Sequence, residues 1–508
     1  MFTRLNSFGI LGIDAYSVGV ETDINTGLPS FEIVGLPDTA IKESRDRIRA
    51  AIKNCGFSFP LGKITANLTP AALKKEGSVY DLPILLCILI SSGQLEGRFS
   101  DSAFVGELSL DGTLHGIKGA LSMALCAKKE GIKNFFVPEE NAGEASAACG
   151  INVFPVKSLS QLVKHLLNEE SITPVRLEQT NFKNAPCPLD FSEVKGQYTA
   201  KKALEIAAAG GHNILLIGPP GSGKSMLAKR LPSILPDLSF EEAIETTKIY
   251  SAAGKLPAKS SLITTRPFRS PHHTISTAGL SGGGTIPKPG EISLSHNGVL
   301  FLDELPEFSK STMESMRAPL EDKKITVSRA AAMLTYPCSF MLVGAMNPCP
   351  CGFFGHPTKN CTCSDTAVRK YLGKISGPLL DRFDIHVEVP PVNYDELVST
   401  DREESSAQIK ARITAARALQ QQRYSDADIQ CNAMLTPSLL KAFCVLTPEA
   451  ESLLHRAFDS LGLSARAYDR ILKLARTIAD LDGSEKIGSD HITCAISYRN
   501  LDRKYWKN

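Results

Sequence analysis

At 508 residues the chain is too long for one hydrophobic core, so two to four domains are expected. Its 43% hydrophobic and 22% charged content is ordinary globular usage and excludes a disordered or fibrous chain. A net charge of +2 gives no whole-protein basic signature and argues neither for nor against nucleic acid, since a motor can carry its basic residues in a pore alone.

The first residues, Met1 to Gly9, lack the basic and apolar regions of a signal peptide, and the longest apolar run, around Leu82 to Ile90, is too short to span a bilayer. Most of the thirteen cysteines, such as Cys55, Cys87 and Cys126, fall in helical patterns as small core residues, which suits a reducing compartment. A cytoplasmic protein without membrane contact is expected. From Gly9 to about Leu167, period-2 and helical patterns alternate: strands at Val18 to Ile24, Phe31 to Val34 and Lys63 to Leu68, and helices at Asp38 to Cys55 and Tyr80 to Ser92. Asp111-Gly112 between alternating apolar residues from Leu108 to Leu114 signals a hairpin.

The segments Val105 to Leu121 and Ala127 to Asn141 resemble the proteolytic domain of Lon proteases, which uses a Ser–Lys dyad. The resemblance implies a Lon-like, ribosomal S5 domain 2-like α+β domain over 1–167. It places Val79 at the nucleophile position and Leu121 at that of the lysine; Ser78 and Lys118 are out of register. Without a nucleophile and its base, peptide cleavage has no mechanism, so a non-proteolytic assembly or contact domain is expected.

Residues 168–189, with Pro174, Pro186 and Pro188, read as a linker. Beyond it, Asp190 to Gln197 leads into a helix at Ala200 to Ala209, with Val194, Lys195 and Gly196 as candidate adenine contacts. Asn213 to Ile217 then reads as a buried strand ending in Gly218, Pro219, Pro220, Gly221, Ser222, Gly223, Lys224 and Ser225, which satisfies the P-loop pattern. The glycines let backbone N–H groups curl around a polyphosphate, Lys224 reaches its outer phosphates, and Ser225 holds Mg²⁺. Downstream, Val299 to Leu302 delivers Asp303 to the Mg²⁺ shell and Glu304 to the attacking water. A third apolar run, from Phe340, ends in Asn347, a polar group placed to hold the lytic water, and its order after these motifs makes it a sensor. ATP and Mg²⁺ are the expected cofactors.

Between Ser225 and Asp303 lies a Gly- and Pro-rich stretch, Arg266 to Glu291, which resembles the helix-2 insertion of magnesium-chelatase motors and MCM helicases; Arg266, Arg269 and Lys288 are candidate pore contacts. His272 and His273 are read as polar surface or packing rather than metal ligands. Lys323, Lys324 and Arg329 fall where that class places a pre-sensor hairpin. Cys349-Pro-Cys351 and Cys361-Thr-Cys363 suit a tetrahedral structural Zn²⁺, with His356 as a spare ligand. In the same class, Arg382 of Leu379 to Asp384 matches the arginine finger that enters a neighbouring subunit's site, and Arg466 matches the sensor-2 arginine of a helical lid, with Arg470 covering surface.

The order of these motifs resembles the ComM/YifB family of magnesium-chelatase-like AAA+ ATPases. It implies a multidomain α/β chain: the Lon-like domain, an AAA+ P-loop domain over 190–392 containing the insert and the four-cysteine loop 349–363, and a helical lid over 393–508. It further implies an ATP-hydrolysing ring, hexameric, that moves on single-stranded or branched DNA as a branch-migration helicase in recombination or natural transformation. The alternative is a chelatase-type remodeller acting on a protein partner.

Overall fold

The structure is a computed structural model and describes all residues except 1, 178–181, 183, 258–260, 285–286, 330–332, 357, 399–402, 428, 500 and 507–508; 397, 502 and 503 are described for backbone alone. The chain is mixed α/β with parallel sheet pairing and forms two compact units, 1–183 with 239–264, and 184–238 with 265–508. Among the described residues no helix is long and apolar enough to cross a membrane.

The first unit is built on a seven-stranded sheet in the spatial order Ser30–Val34, Lys63–Thr69, Asp14–Asn25, Phe2–Leu11, Ser102–Phe104, Asn134–Pro138, Asn152–Val156. Phe2–Leu11 and Asp14–Asn25 form a long antiparallel hairpin turned at Gly12, whose φ of +70° a side chain would resist. The last four strands in that order run parallel. Asp38 caps the helix Thr39–Asn54 by accepting from the Ile41 amide at 2.9 Å. The longest apolar run becomes the helix Asp81–Ser91, whose residues from Leu82 to Leu89 are buried on every side, so it is core rather than membrane span. At its start the buried Asp81 is held by Arg47 at 2.9 Å and by Ser44. The hairpin at Asp111-Gly112 pairs Glu107–Leu108 with Leu114–His115.

Residues 239–264 fold with this unit, although in sequence they lie between the P-loop and Asp303, inside the 190–392 stretch expected to form one domain. The reason is a set of contacts that local sequence does not encode. The helix Phe240–Ala252 opens with a Ser239/Glu242 capping box. Ser251 Oγ accepts from the Gly119 amide at 2.9 Å, and Lys248 pairs with Asp14 at 2.7 Å. Leu262 joins Leu121 and Ala147 in a small apolar cluster against which Phe240 and Ile244 pack. Leu121, the position of the Lon lysine, is thus fully buried among hydrocarbon, and Val79 is buried in the main core. Ser78 donates to Glu107.

The second unit has a five-stranded, all-parallel sheet in the order Phe268–Arg269, Val299–Leu302, Met341–Met346, Ile214–Ile217, Ile385–Glu388. Three of these strands, Ile214–Ile217, Val299–Leu302 and Met341–Met346, are buried at every residue, as apolar runs covered by helices on both faces must be. Two short hairpins, Gly282–Gly283 with Lys288–Pro289 and Lys324–Ser328 with Met333–Pro337, stand apart from the sheet. The C-terminal part is helical, from Ser406–Arg423 to Leu501–Trp506. Its core carries a buried charge network: Asp480 is gripped by Arg476 at 3.1 Å and Arg423 at 2.6 Å, and accepts from Asn432 at 2.8 Å.

Candidate active site

A parallel sheet exposes its next residues at the carboxyl ends of its strands, and here those residues are the polar ones. Ile214–Ile217 gives way to Gly218; a Cβ there would lie 2.2 Å from the Val389 carbonyl, so only glycine allows the loop to leave the strand this closely. Gly221 and Gly223 take φ of +77° and +90°, which curls the loop into the first turn of the helix Lys224–Ile234.

Lys224 Nζ donates to the carbonyls of Gly218 and Pro219, both at 2.8 Å, and to Asn347 Oδ1 at 3.2 Å. Burial pushes this ammonium down to about 8, with Asp303 pulling the other way. Ser225 Oγ donates to Asp303 Oδ2 at 2.6 Å. Glu304 follows with its amide on Asp303 Oδ1 at 3.0 Å and its backbone in the left-handed region at φ +51°, an uncommon conformation for a residue with a side chain. Three strand ends therefore bring Lys224, Ser225, Asp303 and Asn347 into one cluster of two hydrogen-bonded pairs, Lys224 with Asn347 and Ser225 with Asp303, and the exposed Glu304 stands at its edge.

Two neighbours are not legible in the motifs. His273 Nδ1 lies 3.4 Å from Glu304 Oε2, with its ring tilted 34° against that of His272 at 4.1 Å between centroids; the sequence reads the pair as polar surface or packing. Gln197, also left-handed at φ +57°, bridges the Ser222 carbonyl at 3.2 Å and the Pro390 carbonyl at 2.5 Å and so ties the P-loop to the strand end beside it. Of the residues expected at adenine, Gly196 donates its amide to Glu403 at 2.9 Å, and the Val194 carbonyl accepts from Lys201.

The expected arginines stand elsewhere. Arg382 is mostly buried and paired with Glu321, and Arg466 is exposed on the first turn of the helix Ala465–Leu481. Among the described hydrogen bonds and ion pairs, neither joins the Lys224 cluster. Arg470, read as surface cover, instead reaches Asp381 at 3.4 Å and Asp384 at 3.9 Å. Burial would raise Asp384, but the His212 hydrogen bond and the charges of His212, Arg470 and Lys473 outweigh it and hold the carboxyl at about 2.

Arg266 and Arg269, candidate pore contacts, act as struts: Arg266 donates to the carbonyls of Pro236, Asp237 and Asn297, and Arg269 forms a two-point pair with Glu291 at 2.5 and 2.8 Å. Lys288, Lys324 and Arg329 are exposed on the two hairpins; 330–332, beyond Arg329, lie outside the described residues.

The sulfurs of Cys349, Cys351, Cys361 and Cys363 all lie within 4.8 Å of one another, with Cys349–Cys351 at 3.3 Å, Cys351–Cys361 at 3.5 Å and Cys349–Cys361 at 3.7 Å. Four sulfurs each ~2.3 Å from a tetrahedral ion are about 3.8 Å apart, so the donor set and its spacing fit a divalent metal. His356 Nδ1 accepts from the amides of Thr358 and Lys359 and is engaged in its own turn.

The sheet, the loop and the strand-end acids are those of a magnesium-chelatase-like AAA+ protein, and family models agree along the chain: "Magnesium chelatase, subunit ChlI" matches residues 190–397, "Subunit ChlI of Mg-chelatase" 20–141, and "Magnesium chelatase, subunit ChlI C-terminal" 403–499. The chain is 45% identical to the uncharacterized protein YifB of Escherichia coli (strain K12), over 97% of its own length and 96% of that protein. It is 42% identical to the competence protein ComM of Haemophilus influenzae, again over 97% and 96%. Lon protease 2 of Bacillus subtilis is 31% identical over 28% of the chain and 27% of the protease. The chain belongs to the YifB/ComM family of magnesium-chelatase-like proteins.

Proposed function

We propose that this chain is an ATP-hydrolysing ring motor, a hexamer, that translocates on single-stranded or branched DNA and drives branch migration. The observation that carries the ATPase reading is the single cluster joining Lys224 to Asn347 and Ser225 to Asp303. In that reading Lys224 exchanges its carbonyl partners for β- and γ-phosphate oxygens, and the Gly221 to Gly223 amides cradle the rest. Ser225 and Asp303 would hold Mg²⁺, which when bound neutralises developing phosphate charge. Glu304 orients and deprotonates the attacking water, and Asn347 holds it or the γ-phosphate. Among the described hydrogen bonds and ion pairs no arginine joins the cluster, which supports a neighbour's Arg382 as the transition-state cation and Arg466 as a lid contact to the γ-phosphate, and hence an oligomer. Cys349, Cys351, Cys361 and Cys363 would hold a structural Zn²⁺.

Two features support DNA as the track. Lys288, Lys324 and Arg329 stand exposed on the hairpins, where phosphates of a threaded strand are met by point charges. A 42% identical relative carries the name competence protein, and competence is the capacity to take up DNA. The buried Val79 and Leu121 support a first unit that serves in assembly or partner contact rather than peptide cleavage.

The test is the ATPase rate with and without forked or single-stranded DNA, beside Lys224→Ala. Stimulation by DNA that Lys224→Ala abolishes is expected. An ATPase indifferent to DNA, with no DNA binding at low salt, would instead favour a remodeller of a protein partner.

A further inference from the structure

Among the described residues no helix or strand lies between Met346 and Asp365, so the four-cysteine knuckle has little of its own to fix its shape. Yet it sits against the phosphate loop. Cys349 follows Asn347 by two residues and is fully buried. Gly352, at φ +84°, passes so close to the loop that a Cβ there would lie 2.4 Å from Pro220 Cδ and 2.8 Å from Cγ. Its amide is tied back to the Cys349 carbonyl at 3.0 Å, and the Phe354 amide donates to Cys349 Sγ at 3.3 Å. Gly218, Pro219, Pro348, Gly352 and Phe354 line one small cavity of about 80 Å³, closed on another side by Tyr505, whose hydroxyl donates to Glu388 at 2.6 Å.

The knuckle thus touches the two elements that flank Lys224: Pro220 by packing, and Asn347 through two peptide bonds. Four thiol groups brought this close gain their main attraction from a shared cation, because thiolates alone repel and thiols form only weak hydrogen bonds. Where binding energy and loop order are one quantity, loss of the ion loosens whatever the loop braces.

We infer that the four-cysteine knuckle is a metal-dependent strut of the nucleotide site, in which a tetrahedral divalent ion holds Gly352 against Pro220 and keeps the phosphate loop and Asn347 at the spacing that grips a nucleoside triphosphate. Gly352 and Pro220 are positioning residues: neither reaches the reacting atoms. The inference rests on both the zinc and the nucleotide readings, and its test separates the three.

The experiment uses the full-length protein. Bound metal is counted by elemental analysis, and the affinity for a fluorescent ATP analogue is measured for the protein as purified, after removal of metal with a mercurial thiol reagent and chelator followed by reduction, and after Zn²⁺ is returned. Circular dichroism is followed throughout. One ion per chain is expected, with affinity falling about 10–100-fold on removal and returning with Zn²⁺, the size of effect that supporting-shell changes produce. Gly352→Ala is expected to keep its metal and lose affinity at least several-fold, because the added methyl displaces Pro220. One ion per chain with unchanged affinity after removal, or Gly352→Ala with wild-type affinity, overturns the inference alone. A protein without metal overturns it together with the zinc reading, and analogue binding that Lys224→Ala leaves intact overturns it together with the nucleotide reading.

Discussion

Lys224 offers a quantitative test of phosphate binding through protons. Its buried ammonium titrates at about 8, against 10.5 for a free lysine. A phosphate beside it favours the charged form and lifts that value, so nucleotide binding takes up protons wherever the unliganded lysine is partly neutral. With a pKa of about 8, the neutral fraction is about 0.1 at pH 7, about 0.5 at pH 8 and about 0.9 at pH 9, and uptake follows those fractions. Integrated over that range, affinity for Mg-nucleotide drops about tenfold from pH 7 to pH 9, which is about 1.4 kcal/mol. Calorimetry of nucleotide binding at pH 8 in two buffers of different ionisation enthalpy reads the uptake directly as the difference in observed heat. An uptake of about half a proton, growing towards pH 9, is the expected result. Equal heats in both buffers at pH 8 and pH 9 would refute the reasoning, because the lysine would then be fully charged before the phosphate arrives.

Glu304→Gln should bind ATP as tightly as wild type in an equilibrium filter assay while hydrolysis falls about 10²–10⁴-fold, because the amide cannot take the water's proton; full turnover would remove Glu304 from the chemistry. Asp480→Ala leaves the buried Arg476 guanidinium without its carboxylate and should cost the second unit about 3–5 kcal/mol in urea unfolding, where a loss under about 1 kcal/mol would contradict the network. Leu262→Ala opens the cluster over Leu121 and should destabilise the first unit by about 2–4 kcal/mol, read as earlier proteolysis within 239–264. Unchanged cleavage there would mean that the segment is not anchored by that cluster.

What the sequence revealed is what it encodes locally. That the P-loop, Asp303-Glu304 and Asn347 follow buried strands was legible because each comes directly after a short apolar run. The helix at Asp38 to Cys55 was legible from its cap, and the Asp-Gly hairpin from its turn. Partner choice was not. Arg266 and Arg269 read as pore contacts and Arg470 as surface cover, because their carbonyl and carboxylate partners lie up to 89 residues away in the chain. His273 gave no signal because nothing near it in sequence marks Glu304 as its neighbour. The strand Phe2–Leu11 went unread because its burial is irregular, with a run of three buried residues in place of alternation. Residues 239–264 read as part of the ATPase stretch because chain order alone places them there, whereas Ser251, Lys248 and Leu262 find their partners at Gly119, Asp14 and Leu121.

The central claim is that one subunit supplies Lys224 and its acids while the next supplies Arg382. Mixing two inactive proteins tests it most directly: Lys224→Ala, which keeps Arg382, and Arg382→Ala, which keeps the phosphate loop. ATPase activity that rises well above the sum of the two, and peaks at intermediate ratios, is the predicted result. Activity no greater than that sum at every ratio, with mixed oligomers confirmed by size, would contradict a site shared between subunits.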